Sequence, residues 1–292
     1  MPKIACLGLG NMGLPMAINL LKAGHLVVGY DVAPAARDAA RAAGITLAPD
    51  AATAVAGADV VLTMLPNGNL VLDLYISGIL TAAPPGCLFI DSSTIDVASA
   101  RAAHDLAQKA GQTSLDAPVS GGVGGASAGT LTFMVGGDQA AFARAEPILA
   151  AMGKKIVHCG HNGAGQAAKI CNNMILGISM IAVSEAFVLA EKLGLSAQSL
   201  FDVASTSSGQ CWSLTTYCPV PGPVPASPAN NGYQPGFAAA LMLKDLALSQ
   251  DAAEANHAHT PLGHHAAEIY RQFVEAGGGN QDFSAIIKVL RM

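Results

Sequence analysis

The chain has 292 residues, of which 51% are apolar and only 12% charged, with a net charge of −5. That length suits two domains with ample core, and lean charge with abundant Ala and Gly suits tightly packed helices, a covered sheet and a large subunit interface. The negative balance speaks against nucleic acid as a partner. The one long apolar stretch is interrupted by Asn172, Asn173, Ser179, Ser184 and Glu185, so no membrane span is expected.

Met1-Pro2-Lys3 leads at once into an apolar strand, Ile4 to Leu7, which leaves no room for a leader and points to a cytoplasmic protein. Gly8-Leu9-Gly10-Asn11-Met12-Gly13 follows, then a helix from about Asn11 to Ala23, then a strand from Leu26 to Tyr30 that ends in Asp31. Each part has a task in dinucleotide binding. Gly8 permits a tight turn, Gly10 lets backbone approach a pyrophosphate, and Gly13 lets helix and strand pack closely. The N–H groups and positive dipole end of the helix, at Asn11 and Met12, face the phosphates. Asp31 is placed for the ribose hydroxyls. It repels a 2′-phosphate and no Arg follows in Val32-Ala33-Pro34, which favours NAD over NADP; Arg37 is the nearest cation.

The alternation continues with helices at about 34–43 and 51–56, a strand from Asp59 to Met64 ending at Leu65-Pro66-Asn67, and a strand from Cys87 to Ile90 ending at Asp91-Ser92-Ser93-Thr94. Ligands of open α/β sheets bind at the carboxyl ends of strands, so these loops belong to the cofactor side. At least one of Ser93 and Thr94 is expected to cap the next helix. The cluster Ser120-Gly121-Gly122-Val123-Gly124-Gly125 reads as an anion-binding nest suited to a substrate carboxylate, or as a flexible turn before a strand at 130–135. A helix at 139–151 and a strand at 155–159 complete this half.

Residues 163–193 read as one long helix, apolar on every face and therefore buried. Lys169, Asn172 and Asn173 share one face near its start. A Lys there either snorkels to solvent or is placed for chemistry. Beyond it come a helix capped by Ser196, a long proline-rich loop from Ser205 to Gly236 anchored by Trp212 and Tyr217, and helices at 237–256 and 262–276. His257, His259, His264 and His265 lack the spacing of a metal site, so no metal is expected. The six cysteines form no C-x-x-C pair and read as free thiols.

Five ordered motifs span the chain: Gly8-x-Gly10-x-x-Gly13, Asp91-Ser92-Ser93-Thr94, Asp116-Ala117-Pro118-Val119-Ser120-Gly121-Gly122, Gly163-x-Gly165-Gln166-x-x-Lys169-x-x-Asn172-Asn173 and Lys244-Asp245-Leu246. Together they resemble the β-hydroxyacid dehydrogenase family. The segment Ser207 to Trp212 and the loop from Tyr217 to Gly236 are similar to the branch acting on 3-hydroxyisobutyrate. The resemblance implies an α/β Rossmann-like N-terminal domain (1–162), a long interdomain helix (163–193) and an all-α C-terminal domain (194–292). It implies NAD-linked oxidation of a small 3-hydroxy acid by a homodimer or homotetramer. Lys169 matches the family's catalytic lysine. Ser120, Gly121, Gly122 and Asn173 match its substrate contacts, with Trp212 as a further candidate. Leu65, Pro66 and Thr94 match cofactor contacts, and Lys244 matches a lysine beside the nicotinamide end. Where the family often has Asn, four residues after that Leu-Pro pair, this chain has Leu70, with Asn69 as the substitute.

The chemistry suits these residue types. A desolvated Lys can be tuned to take the alcohol proton and, in reverse, to polarise the carbonyl. His158 and His161 are alternative bases by type. L-Serine, 3-hydroxypropionate and tartronate semialdehyde are alternative substrates, and a non-catalytic nucleotide-binding module is the reading from another class.

Overall fold

The computed structural model describes residues 1–291, which divide into two compact units, Met1–Lys169 and Ile170 onward. In the first, nine strands form one sheet: β1 (Lys3–Leu7), β2 (Leu26–Tyr30), β3 (Thr46–Leu47), β4 (Val60–Thr63), β5 (Leu88–Asp91), β6 (Thr113–Asp116), β7 (Val119–Ser120), β8 (Leu131–Gly136) and β9 (Gly153–Gly160). The order is β3-β2-β1-β4-β5-β6-β8-β7, with β9 also on β8. The pairs from β3 to β6 are parallel, β8 runs antiparallel to β6 and β7, and β9 is parallel to β8.

Parallel strands covered on both faces need continuous apolar runs. Ile4, Cys6, Leu62 and Ile90 belong to one core while Ala5, Leu7, Val61 and Phe89 belong to another, because alternate residues point to opposite faces. The chain leaves β1 for β2 and β3, then returns to β4 on the other side of β1. That reversal is where an open sheet gapes at its carboxyl edge.

Several expectations need correction. The first helix is Gly13–Lys22, two residues later than read, because the turn through Met12 precedes it. Asp96, not Ser93 or Thr94, caps the helix Val97–Lys109, accepting from Ser99 N–H at 2.7 Å. The segment Pro66–Gly68 does not simply loop: Asn67 caps a helix, Gly68–Leu74, that runs on through a π-turn at Tyr75–Ile79. The glycine cluster is not a flexible turn. Its front edge is strand β7, and Gly122–Ala128 is helical, with Ala126 buried and its carbonyl accepting from Asn19 Nδ2 at 2.6 Å.

The second unit is helical. Its helices are the continuation of Ala164–Lys192, then Ala197–Ala204 (capped by Ser196), Trp212–Thr215, Ala239–Ala255, Pro261–Glu275 and Ile287–Leu290. They enclose a core that includes Met180, Phe187, Met242, Leu246, Tyr270 and Phe283. Gly177 brings the helix Ala164–Lys192 onto Ala239–Ala255, since a Cβ there would meet Leu246 at 3.0 Å. The long loop is ordered by a carboxylate. Asp282, fully buried, accepts from Tyr217 Oη, the Gly236 and Phe237 amides, and the amide and hydroxyl of Ser284.

The helix Ala164–Lys192 is, by length and composition, long and apolar enough to cross a membrane, yet its apolar window is only 44% buried within the protein. It is therefore not enclosed on every face, as its composition had implied. Ile175 and Leu189 are 63% and 60% exposed.

Candidate active site

The carboxyl edge of the sheet gathers most of the N-terminal candidates. Gly8 follows β1 with φ +93°, and its N–H donates to Tyr30 O at 3.0 Å. A side chain at Gly8 would strike the Met64 carbonyl, and one at Gly13 would strike the Gly8 carbonyl. Gly10 differs: a Cβ there meets nothing within 4 Å. Gly8 and Gly13 thus let the turn close on itself, whereas Gly10 leaves backbone open beside a helix N-terminus whose first N–H groups have no intrahelical partner. That open cradle fits a pyrophosphate. Gly10 and Asn11 are exposed there, with Met12 half-buried.

Asp31 stands just past β2. One oxygen accepts from Leu9 N–H at 2.6 Å and the other from Ala33 N–H at 2.8 Å. The carboxylate is therefore locked beside the glycine turn, and each oxygen keeps a lone pair for a ribose hydroxyl. Arg37 is turned to the Asp31 backbone carbonyl, at 3.3 Å.

After β4, Leu65 is half-buried, Pro66 and Asn69 are exposed, and the Leu65 amide donates to Ser93 Oγ at 2.8 Å. Ser93 in turn donates to Asp91 Oδ1 at 2.6 Å, as does Thr63 at 2.7 Å. Asp91 is 4% exposed, and burial pushes its carboxyl up to about 6 against the pull of those hydrogen bonds. Thr94 is half-buried in the same loop.

Asp116, at the end of β6, accepts from the amides of Gly163 (2.7 Å) and Gln166 (2.9 Å), so its carboxylate sits at the N-terminus of the helix Ala164–Lys192. Burial nevertheless raises its pKa. Gly165 is required here, because a Cβ would strike the Met134 carbonyl. Lys169, in the second turn, is only 7% exposed. A Lys so buried is not snorkelling. His158 is spent structurally: it lies in β9, its Nε2 is 2.8 Å from the Gly137 carbonyl and its ring packs on Phe142. His161 is exposed. Ser120 pairs with Thr132 in the sheet, and Gly121 and Gly122 have φ +134° and +60°.

In the second unit, Asn173 is 2% exposed and its Nδ2 donates to Asp245 Oδ2, while its Oδ1 accepts from Asn172 at 3.0 Å. The other oxygen of Asp245 lies 3.8 Å from Lys244 Nζ. Asp245 thus joins Lys244 to Asn173 and fixes which end of the Asn173 amide carries N–H. Trp212 is 48% exposed and stacks on Tyr217 at 4.8 Å, which stacks on Phe283. Sequence reasoning gave no role to Asp91, Asp116, Gln166, Asp245 or Asp282. The signal available for Asp245 was a carboxylate in mid-helix among apolar residues.

Residues 3–160 match the family model of the NAD binding domain of 6-phosphogluconate dehydrogenase, and residues 163–290 match that of the NAD-binding region of NADP-dependent 3-hydroxyisobutyrate dehydrogenase. A probable 3-hydroxyisobutyrate dehydrogenase of Mycobacterium tuberculosis is 59% identical over 291 residues, covering 100% of this chain and 98% of that protein. The chain belongs to the 3-hydroxyisobutyrate dehydrogenase family. An NAD-dependent L-serine dehydrogenase of Pseudomonas aeruginosa is 47% identical, covering 99% of this chain and 98% of its own. The solved structure of M. tuberculosis 3-hydroxyisobutyrate dehydrogenase with L-serine superposes with a TM-score of 0.97 at 58% identity, covering 100% of both chains. The fold is thus a Rossmann-like domain followed by a helical one, and the cofactor is NAD.

Proposed function

We propose that this enzyme oxidises 3-hydroxyisobutyrate to methylmalonate semialdehyde, a step of valine breakdown, with Lys169 as general acid–base. The observation that carries this reading is a lysine 7% exposed, in the second turn of a helix whose start is gripped by Asp116, in a chain 59% identical to a probable 3-hydroxyisobutyrate dehydrogenase. NAD supplies the hydride acceptor when bound. Gly8, Gly10, Asn11, Met12 and Gly13 hold its pyrophosphate, Asp31 its ribose, and Leu65, Pro66, Asn69, Thr94 and Lys244 contact the rest. Neutral Lys169 takes the hydroxyl proton as the C–H bond gives up its hydride; protonated, it polarises the carbonyl in reverse. Ser120, Gly121, Gly122 and Asn173 receive the substrate carboxylate, with Trp212 as a further contact. Asp31 favours NAD over NADP.

L-Serine is the second reading, favoured by the relative that bears that activity in its name and by the solved relative that holds it. The two acids share the 3-hydroxyl and the carboxylate and differ only in the group on C2, a methyl in one and an ammonium in the other, so the contacts proposed above serve both. Turnover of both is therefore expected, with 3-hydroxyisobutyrate ahead. A panel of small hydroxy acids with NAD and NADP, ranked by kcat/KM, tests this; a preference for serine, or for NADP, overturns the corresponding assignment.

We also propose a cytoplasmic homodimer or homotetramer, supported by Ile175, Leu189, Leu193 and Val203, all at least 60% exposed in the isolated chain. The division into 1–162, 163–193 and 194–292 is proposed as the functional one, the long helix carrying both Lys169 and Asn173.

A further inference from the structure

Gln166 is fully buried one helical turn before Lys169, and the mechanism above leaves it unused. Its side-chain Nε2 donates to the Ser93 carbonyl at 2.7 Å and its Oε1 accepts from the Ile95 amide at 3.2 Å. One amide therefore grips the peptide groups on both sides of Thr94. Its own backbone N–H is held by Asp116 at 2.9 Å. Residues three apart on a helix share a face, so the turn carrying Lys169 moves with this clamp. Ser93 extends the chain of contacts, because its hydroxyl also takes the Leu65 amide.

We propose that Gln166 is a positioning residue that holds the cofactor loop at Thr94 and the turn bearing Lys169 in one register. A glutamine is suited to this because a single planar group offers a donor and an acceptor, matching a C=O and an N–H two residues apart. Catalytic groups must be held to within a fraction of an ångström, and a displacement near 1 Å can cost about a hundredfold. The inference rests on Lys169 being the acid–base group and Thr94 a cofactor contact.

Gln166→Met keeps length and volume but removes both amide bonds. The expected result, measured with 3-hydroxyisobutyrate and NAD well below the melting temperature, is a fall in kcat of about tenfold to a hundredfold together with a several-fold rise in KM for NAD. A merely structural role would lower the melting temperature and leave both constants of the folded enzyme unchanged; that result overturns the proposal. Adding Thr94→Ala to Gln166→Met should raise KM for NAD no further than the worse single variant, within about twofold. Effects that multiply would mean that Gln166 does not act through Thr94. If Gln166→Met does not fold, Gln166→Asn keeps the amide but is one methylene too short to reach both the Ser93 carbonyl and the Ile95 amide, and the same constants are read. Should unmodified enzyme fail on the whole substrate panel, the functional assignment is at fault. Should unmodified enzyme turn over and the Gln166 variants match it, this inference alone falls.

Discussion

Gly10→Ala separates cofactor binding from folding. A Cβ at this position meets no protein atom within 4 Å, and Gly10 lacks the positive φ that would strain an alanine. The variant should therefore be as stable as the parent, or more stable by about 0.4–1 kcal/mol through loss of unfolded-chain freedom. The methyl projects into the space through which a pyrophosphate must approach the helix N-terminus. Losing one charge-assisted hydrogen bond is worth about 1.5–3 kcal/mol, so the NADH dissociation constant should rise by roughly tenfold to a hundredfold. NADH fluorescence titration gives the first quantity and a thermal melt the second. Gly13→Ala is the control: its Cβ would strike the Gly8 carbonyl, so stability and binding should fall together. Unchanged NADH affinity in a well-folded Gly10→Ala would show that the phosphates lie elsewhere. A large loss of stability would show that the space beside Gly10 is not open.

Asp91 should make stability depend on pH. Burial holds its folded pKa at about 6 against 3.8, so the folded protein binds the proton more tightly. Its contribution is full below about pH 4 and is lost as pH rises through 6, a swing of about 3 kcal/mol. Asp91→Asn should remove that swing, melting like the parent at pH 4 and higher at pH 7.5; parallel curves would refute it. Asp282→Ala strands five donors in the second unit. It should cost more than about 3 kcal/mol in urea unfolding followed by Trp212 fluorescence, and a loss below 1 kcal/mol would contradict the hub. Asp31→Ala with Val32→Arg should shift kcat/KM toward NADP; an unchanged ratio would deny Asp31 its role at the ribose.

The features legible in the sequence were those set by local pattern. The strand–glycine–helix signal at residues 4–22 and the terminal acid at Asp31 need only neighbours along the chain. What escaped depends on partners far away. Gly122–Ala128 contains three glycines, poor helix formers, and is held helical by its packing on Gly13–Lys22 through Asn19. Pro66-Asn67-Gly68 reads as loop punctuation, yet the same Asn67 caps a helix. Strand β6, Thr113–Asp116, has too little apolar content to stand out, and it is fixed by parallel pairing with β5. The glycines and Lys169 could be picked out as candidates because their types carry a known chemical task. Asp116, Gln166 and Asp282 could not, because their work is to satisfy backbone groups about 45–75 residues away.

The acid–base role assigned to Lys169 is open to a direct test by single-turnover kinetics of Lys169→Ala with 3-hydroxyisobutyrate and NAD. NADH affinity should stay within about twofold of the parent, and hydride transfer should slow by roughly 10²–10⁴-fold. A variant that binds NADH normally and turns over at near the parental rate would contradict it.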